Sequence, residues 1–420
     1  MTHRSSRARA REGVMDMHFT KRTLVLATCL GVLVIMALIG LSRSRSGPPV
    51  DPRIVKADNE FAFKLFREVM KTDAGQNVFI SPASIALALH MTYDGARGKT
   101  KDAMAKTLGL QGMTLGEINR ANAELLSSLE NPGPKVQLYI ANSLWANAGS
   151  PVKASFVRCG KSFYHAEVAS LDFSSPGAAS RINSWIAGQT RGEIRQMISG
   201  FAHPSGIALV NAMYFKGVWT TRFDKSETKD AEFWLSDSKS EMVPMMRRKG
   251  KLRYCYGNDF AIVRMPYGKG RLSMYVLLPG RQSSLKEMLG ELDAATLRKR
   301  MSYMRTADVY VQIPGFKTEC RVDLKPALSR LGMGRAFDRH RADLSGALPP
   351  PDGWLSEACH RTRIEVDEDG TKAQAVTFFH LAARGGPPPF IADRPFAYLI
   401  RDDKTGMILF MGQIVDPKPD

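Results

Sequence analysis

Hydrophobic and polar positions divide the chain into two parts of different character. Residues 23–41 form an uninterrupted apolar run without charge or proline, between a basic segment (1–22) and a polar linker (42–56). From residue 57 onward, short apolar stretches alternate between the period of a helix and the period of a strand. Neither a repeat nor an internal linker interrupts this second part. The pattern predicts one large α+β domain over 57–420.

The predicted elements follow from the local period and from helix start signals. Asp58 opens an amphipathic helix that runs to Met70, and Ser81 with Pro82 caps the start of another. Further helices are predicted over 181–198 and 324–331. Strands are predicted at 77–80, 136–145, 207–215, 260–264, 272–278, 309–313, 363–366, 396–400 and 407–415.

The apolar run has the length and flanking charge of a membrane-directing segment. As a helix, its 19 residues would span about 28 Å, close to a hydrocarbon core of about 30 Å. More basic residues precede the run than follow it closely, so the domain is expected outside the cytoplasm. The length favours a retained signal anchor that binds the protein to a membrane. Gly40 and Ser42 instead fit a cleaved signal peptide of a secreted protein, and both alternatives stay open.

The net positive charge of the chain is unevenly distributed between the amino-terminal segment and the domain. The chain holds 59 Lys and Arg against 41 Asp and Glu, a net charge of +18. Residues 1–56 contribute +7, from ten basic and three acidic residues, and the domain contributes +11. Two basic clusters, at 247–253 and 298–305, leave a glycosaminoglycan or other polyanion as an accessory partner. Specific nucleic-acid binding is not expected, and the protein is expected to be a monomer.

Residue types with catalytic or metal-binding chemistry lack the spacing that such sites require. The five cysteines form no C-x-x-C pair, and the eight histidines show no metal-ligand spacing. The chain contains neither G-x-S-x-G nor H-E-x-x-H. Tyr93 stands where a P-loop ending in Gly98-Lys99-Thr100 would need glycine. An enzyme, a bound metal and a cofactor are therefore not expected.

The segment between the strands that end at Val366 and begin at Phe396 is too long for an ordinary loop. Its middle has the period of two that a strand shows. One face is small at its leading end, and consists of Thr371, Ala373, Ala375, Thr377, Phe379, Leu381 and Ala383. A plain strand would be unusually long here, and Ala and Gln are poor strand formers. A segment that is exposed in one state and a strand in another fits this pattern better.

Short motifs in order along the domain carry a resemblance to a known family. They are Asn77–Ser84 (NVFISPAS), Gly95–Thr100 (GARGKT), Leu209–Trp219 (LVNAMYFKGVW), Leu355-Ser356-Glu357 with His360, Glu365–Thr371 (EVDEDGT), Asp393–Phe396 (DRPF) and Ile408–Gly412 (ILFMG). In these motifs and in their order, from about residue 57 to Pro417, the chain resembles the serpin family of serine protease inhibitors.

The resemblance implies a metastable fold of three β-sheets and about nine helices, with an exposed reactive-centre loop at about 368–390. It also implies suicide inhibition. A protease cuts the loop as a substrate, and the loop inserts as a strand into the main sheet before the acyl-enzyme hydrolyses, so that the protease stays covalently attached. The hinge of this motion is implied to comprise Glu368, Gly370, Thr371, Ala373, Ala375 and Thr377.

The scissile bond follows from the resemblance by counting. In inhibitory serpins the hinge glutamate lies sixteen residues before that bond, and Glu368 then places it at Arg384–Gly385. A guanidinium suits the carboxylate in the primary pocket of trypsin-like proteases, which are therefore the expected targets. Phe379 or Leu381 would instead suit chymotrypsin-like or elastase-like enzymes. The alternative function is that of a non-inhibitory serpin acting as a chaperone, a carrier or a plain protease substrate.

The resemblance also assigns roles to residues around the main sheet. The residues that resemble the family's shutter, a hydrogen-bonded cluster beneath the opening of that sheet, are Ser81, Ser84, Asn211 and His360. Trp219 resembles the aromatic residue of the breach, the point at which the loop first inserts. Gly315 departs from the pattern, because the family usually has a Lys or Arg there that can pair with the hinge glutamate.

Overall fold

The computed structural model describes residues 50–72, 75–201, 203, 205–370 and 389–418. Residues 23–41, with their predicted anchor or signal peptide, lie outside the described residues. Within the described ranges, none of the helices combines the length and the apolar character that crossing a bilayer requires.

Nine α-helices occur in the described residues. They are α1 (Pro52–Met70), α2 (Pro82–Gly95), α3 (Gly98–Leu108), α4 (Leu115–Glu130), α5 (Ala154–Tyr164), α6 (Ala178–Gln189), α7 (Leu285–Glu291), α8 (Ala294–Ser302) and α9 (Leu324–Leu328). The predicted start at Ser81 is confirmed, since its side chain accepts a hydrogen bond from Ser84 N and Pro82 occupies the first turn of α2.

Fourteen strands accompany these helices in the described residues. They are β1 (Val78–Ile80), β2 (Val136–Asn147), β3 (Glu167–Leu171), β4 (Ile207–Gly217), β5 (Lys229–Ser236), β6 (Lys239–Cys255), β7 (Phe260–Pro266), β8 (Leu272–Pro279), β9 (Arg305–Pro314), β10 (Phe316–Asp323), β11 (Leu355–Val366), β12 (Phe390–Ile391), β13 (Phe396–Asp402) and β14 (Ile408–Ile414). The predicted α+β class is confirmed.

The smaller sheet has the strand order β10-β11-β4-β2-β3. Its central strand β4 is antiparallel to β2 and parallel to β11. Residues of β4 alternate between two cores. Leu209 and Met213 belong to the main core with α1 and α2, whereas Ala208 and Val210 pack in a second core with residues of α6. Burial on both faces explains why this strand is almost wholly apolar.

The larger sheet has the order β1-β14-β13-β8-β7-β6-β9-β12, with β5 also paired to β6. Strand β6 is 17 residues long and pairs with β5, β9 and β7 along its length. Because one strand runs through the whole region, hydrogen bonds join two of the three expected sheets into one sheet of nine strands.

Three predicted boundaries were wrong for local reasons. Helix α1 begins at Pro52 because the Asp51 side chain caps it, so 52–56 belong to a helix and not to the linker. Helix α6 stops at Gln189 instead of running to residue 198, because the following backbone turns through positive φ at Arg191 and Gly192. Strand β11 begins at Leu355, well before the predicted start at residue 363.

Candidate functional site: the sheet centre and the base of the loop

Two parallel neighbours, β4 and β11, form the centre of the smaller sheet. Their direct partners run from Ile207 opposite Leu355 to Tyr214 opposite Arg363. The long loop continues from the carboxyl end of β11. Because β4 and β11 point the same way, a strand folding back from the end of β11 would run antiparallel to both. Such a strand can enter between β4 and β11 only if the hydrogen bonds that join these two strands open.

A row of polar side chains crosses this pair. His360, Asn211 and Asn142 are direct cross-strand partners on β11, β4 and β2. His360 Nδ1 lies 2.5 Å from Asn211 Oδ1, and Asn211 Nδ2 donates to Asn142 Oδ1 over 2.5 Å. All three side chains are buried. The row therefore links β11, β4 and β2 through side-chain hydrogen bonds partway along the β4–β11 pair.

Ser81 and Ser84 connect the row to the start of α2. Ser84 Oγ donates to Asn211 Oδ1 over 2.6 Å, and Ser81 N donates to His360 Nε2 over 3.0 Å. Ser81 Oγ also donates to the carbonyl oxygen of Leu409 on β14 over 2.7 Å. The structure thus brings all four predicted shutter residues together. We call these four and Asn142 the Asn211 cluster.

The hydrogen bonds of the Asn211 cluster require a neutral imidazole at His360. Its Nδ1 faces an amide oxygen, which can only accept, so this nitrogen carries the proton. Its Nε2 accepts from the Ser81 N–H and has no room for a second proton there. Burial lowers the pKa of His360 to about 3. The ring can donate through Nδ1 and accept through Nε2 at the same time only in its uncharged form.

This arrangement predicts that the fold loses stability in mild acid. Histidine in the unfolded chain has a pKa of about 6.5. Below that pH the unfolded chain therefore binds a proton at residue 360, whereas the folded protein keeps His360 neutral. We expect the free energy of unfolding to fall by about 2 kcal/mol between pH 7 and pH 5, measured by urea denaturation. The pair of His90 and Asp58 contributes less, because burial lowers the pKa of His90 and raises that of Asp58, with opposite effects. An unfolding free energy unchanged over this range would contradict a neutral His360.

The base of the loop packs against the segment that follows β4. Trp219 Nε1 donates to the backbone oxygen of Asp367 over 2.9 Å. The Trp219 ring stacks on Tyr267 with centroids 4.2 Å apart, and both side chains are buried. The residue predicted for the breach therefore lies directly beside the first residues after β11.

Glu368 is held by hydrogen bonds at this base. The Thr228 hydroxyl donates to Glu368 Oε1 over 2.7 Å, and Phe223 N donates to Glu368 O over 3.0 Å. Gly315 removes the cation with which the family's hinge glutamate usually pairs. In this structure Thr228 supplies the side-chain contact to Glu368 instead. The neighbouring Asp369 forms an ion pair, with Lys225 Nζ 3.0 Å from its Oδ2, and this contact raises the pKa of Lys225.

Gly370 occupies a position that no other residue fits without movement. Its φ is +47°, in the left-handed region. A Cβ atom would lie 2.5 Å from both Gly217 O and Trp219 N. The chain therefore leaves the sheet through a backbone-to-backbone contact with the end of β4. The remaining predicted hinge and scissile residues, Thr371, Ala373, Ala375, Thr377, Arg384 and Gly385, lie outside the described residues.

Sequence reasoning did not find Asn142, Thr228, Lys225 or Tyr267. Asn142 was visible as a polar residue inside the apolar strand 136–145, which is a signal of a buried hydrogen bond. Its partnership with Asn211 depends on the register between β2 and β4, which the sequence of either strand alone does not specify. Thr228 and Lys225 lie in an irregular segment where no periodic pattern marks them.

Comparison with known proteins agrees with this geometry. The family model described as Serpin (serine protease inhibitor) matches residues 56–417. The leukocyte elastase inhibitor of Equus caballus is 35% identical over 375 residues, covering 86% of this chain and 98% of the relative. An uncharacterized serpin-like protein of Thermococcus kodakarensis is 34% identical over 372 residues, covering 87% and 86%. The crystal structure of mouse protein-Z dependent protease inhibitor superposes with a TM-score of 0.80 at 25% identity, covering 87% and 98%. The chain belongs to the serpin family.

Proposed function

We propose that this serpin is a suicide-substrate inhibitor of a trypsin-like serine protease, acting outside the cytoplasm and cut at Arg384–Gly385. One observation carries the proposal: β4 and β11 are parallel and directly paired. A strand returning from the end of β11 finds there two neighbours that it can pair with in antiparallel fashion. Relatives named as protease inhibitors support the same general activity.

The two ends of the loop belong to different sheets, which supports insertion after a cut. The amino-terminal end continues from β11 of the smaller sheet, whereas the carboxyl-terminal end continues into β12, which pairs with β9 of the larger sheet. After a cut between them, the amino-terminal part would remain joined to the rest of the inhibitor only through β11 and could move about that point. Small residues at Thr371, Ala373, Ala375 and Thr377 suit passage between two strands.

The Asn211 cluster and the base of the loop have complementary roles in this proposal. The Asn211 cluster joins β4 to β11 partway along the pair, through hydrogen bonds between His360, Asn211 and Ser84 at the start of α2. These bonds keep the two strands together. Trp219 and Gly370 hold the first residues of the loop at the carboxyl ends of the same two strands. Insertion would begin between these strands at Gly370 and proceed toward His360 and Asn211.

The test is to incubate the full-length protein with trypsin and separate the products on a denaturing gel. We expect a covalent adduct larger than the protein by about one protease, and a released fragment whose amino terminus is Gly385. Thr371→Arg should leave the cut intact and abolish the adduct, because a charged side chain would enter the buried face of the sheet. Lys372→Arg, on the other predicted face, is the matched control and should keep the adduct. Cleavage of the unaltered protein without any adduct would contradict inhibition and favour a non-inhibitory serpin that is a plain substrate.

A further inference from the structure

Two titratable side chains, Asp58 on α1 and His90 on α2, lie buried together among the helices and outside the Asn211 cluster. The exposed fraction is 2% for Asp58 and 0% for His90. His90 Nε2 lies 3.4 Å from Asp58 Oδ1. Every residue of α2 except Asp94 is buried, so this helix offers the pair no solvated side. The proposed inhibition does not use either group.

The His90 ring is oriented from its other side by α4. His90 Nδ1 lies 3.2 Å from Asn122 Oδ1, and Asn122 Nδ2 donates to the backbone oxygen of Ile118 over 2.8 Å. The second bond fixes the amide with its oxygen toward the ring. Because an amide oxygen can only accept, His90 Nδ1 carries a proton and donates it. In a neutral imidazole, Nε2 then presents its lone pair to Asp58.

The carboxyl group of Asp58 has no donor that would stabilise a negative charge on it. Among the described residues, neither of its oxygens accepts a hydrogen bond, and His90 is the one basic group within 4.0 Å. An ionised carboxylate here would lose its hydration with nothing to replace it, which costs far more than burying the neutral acid. A neutral Asp58 has one O–H to donate, and the lone pair of His90 Nε2, which makes no other hydrogen bond, lies within reach.

The other titratable groups around the pair supply no positive charge. Tyr164 of α5 donates to Asn119 Oδ1 over 2.6 Å, and Asn119 Nδ2 donates to Asp94 Oδ1 over 3.3 Å. Burial, followed by the nearby Cys159, Asp94 and Asp58, raises the pKa of Tyr164, so its hydroxyl stays neutral. Burial also raises the pKa of the Cys159 thiol to about 12. A phenol, a thiol and a carboxyl group therefore face the pair, and none of the three offers a counter-charge to an ionised Asp58.

We propose that Asp58 and His90 share one buried proton, held as a neutral carboxylic acid that donates to His90 Nε2, and that the packing of α1 against α2 and α4 depends on this proton. Burial raises the pKa of Asp58 and lowers that of His90 to about 4, the two directions that a neutral pair requires. The pair is therefore a pH-sensitive element of the fold that is separate from the loop.

The sign of the pH dependence follows from counting protons. At neutral pH the folded protein holds a proton on Asp58, whereas aspartate in the unfolded chain has lost it. A raised pKa of this kind contributes stability that is complete in acid and is lost as the pH rises, until Asp58 ionises in the folded protein. Below about pH 6.5 the unfolded chain also gains a proton at His90, which cancels this dependence. The effect of the pair therefore appears above neutral pH.

The test compares urea denaturation of the full-length protein and of its Asp58→Asn variant at pH 7 and pH 8. In the variant, an amide N–H can donate to His90 Nε2 at every pH, so no titrating proton is needed. The unfolding equilibrium constant of the unaltered protein, divided by that of the variant, should rise about tenfold from pH 7 to pH 8, which is the effect of one proton.

The matched control is Asp237→Asn, which removes a carboxyl group from the exposed turn between β5 and β6. The same ratio, formed with this variant, should change by less than about twofold, because a solvated carboxyl group is ionised in both states at these pH values. A ratio that stays constant for Asp58→Asn, or that rises equally for the control, would overturn the proposal.

Spectroscopy tests the same proton in the unaltered protein, whether or not Asp58→Asn folds. Infrared spectra should contain the carbonyl stretch of a buried protonated carboxylic acid at pH 7, and this band should weaken as the pH rises. Nitrogen NMR should show His90 protonated at Nδ1 alone. A missing band together with a doubly protonated His90 would establish an ion pair and overturn the neutral assignment. None of these measurements involves a protease, so their outcome is independent of the proposed inhibition.

Discussion

Asn211→Ala is expected to lower the free energy of unfolding by about 3–5 kcal/mol in a urea titration at pH 7. The change leaves the Ser84 hydroxyl, the His360 N–H and the Asn142 oxygen buried without their partner. Each unsatisfied buried group costs about 1–3 kcal/mol, and the site is closed to water on all sides. The loss should therefore exceed that of an ordinary polar substitution.

The Asn211→Ala variant should also make β4 and β11 easier to separate. With the row broken, β4 and β11 keep their backbone hydrogen bonds and the bond from Ser356 Oγ to Ile207 O, but lose the side-chain bond between Asn211 and His360. We therefore expect uncut protein to convert faster, on warming, to a form that no longer traps trypsin. Asn183→Ala is the matched control, because Asn183 also makes several hydrogen bonds but lies on α6, outside the β4–β11 pair. The control should lose stability without faster conversion. Equal conversion rates in the two variants would show that the Asn211 cluster does not hold the sheet closed.

Arg384→Ala is expected to reduce the rate of trypsin trapping by about a thousandfold or more. A protease pocket built to bind a guanidinium discriminates strongly against a side chain that leaves its carboxylate unpaired. Trapping rates are measured by loss of trypsin activity against a small chromogenic substrate. Arg384→Lys should retain a substantial part of the rate, because lysine keeps the charge that the pocket recognises.

The control for this prediction is Arg339→Ala, which removes the same charge from an exposed site away from the loop. It should trap trypsin at the unaltered rate. If Arg384→Ala still traps trypsin with an unchanged cut, the count from Glu368 is wrong and another residue is scissile. If trypsin trapping fails while elastase or chymotrypsin is trapped by the unaltered protein, Leu381 or Phe379 is the better assignment.

The sequence predicted the fold well where apolar periodicity was strong and poorly where functional polar residues interrupted it. Strand β11 shows this most clearly. Its buried face includes His360 and Thr362, which read as polar in the sequence, so the predicted strand covered only its last four residues. These same residues make the hydrogen bonds that give the strand its place beside β4 and β1. The alternation of apolar and polar residues fails to predict this part of β11, because His360 and Thr362 are polar residues buried for their hydrogen bonds.

All members of the Asn211 cluster except Asn142 were predicted by resemblance, whereas their geometry required the structure. Asn211 and His360 are 149 positions apart in sequence, and only the parallel register of β4 with β11 sets them side by side. The tautomer of His360 follows from that register and from the Ser81 N–H at the start of α2. Similarly, sequence showed that Gly315 removes a cation, but only the fold showed Thr228 beside Glu368.

The attachment of the two loop ends to different sheets has a consequence for the cleaved molecule. With the proposed cut at Arg384–Gly385, the carboxyl-terminal fragment would contain β13 and β14, which pair with each other and with β8 and β1 in the larger sheet. Its aromatic residues Phe396, Tyr398 and Phe410 are buried in the main core. Hydrolysis of one peptide bond removes none of these contacts. The cut protein should therefore persist as two chains folded around a shared interior, and would elute from a sizing column as one particle until a denaturant separates them.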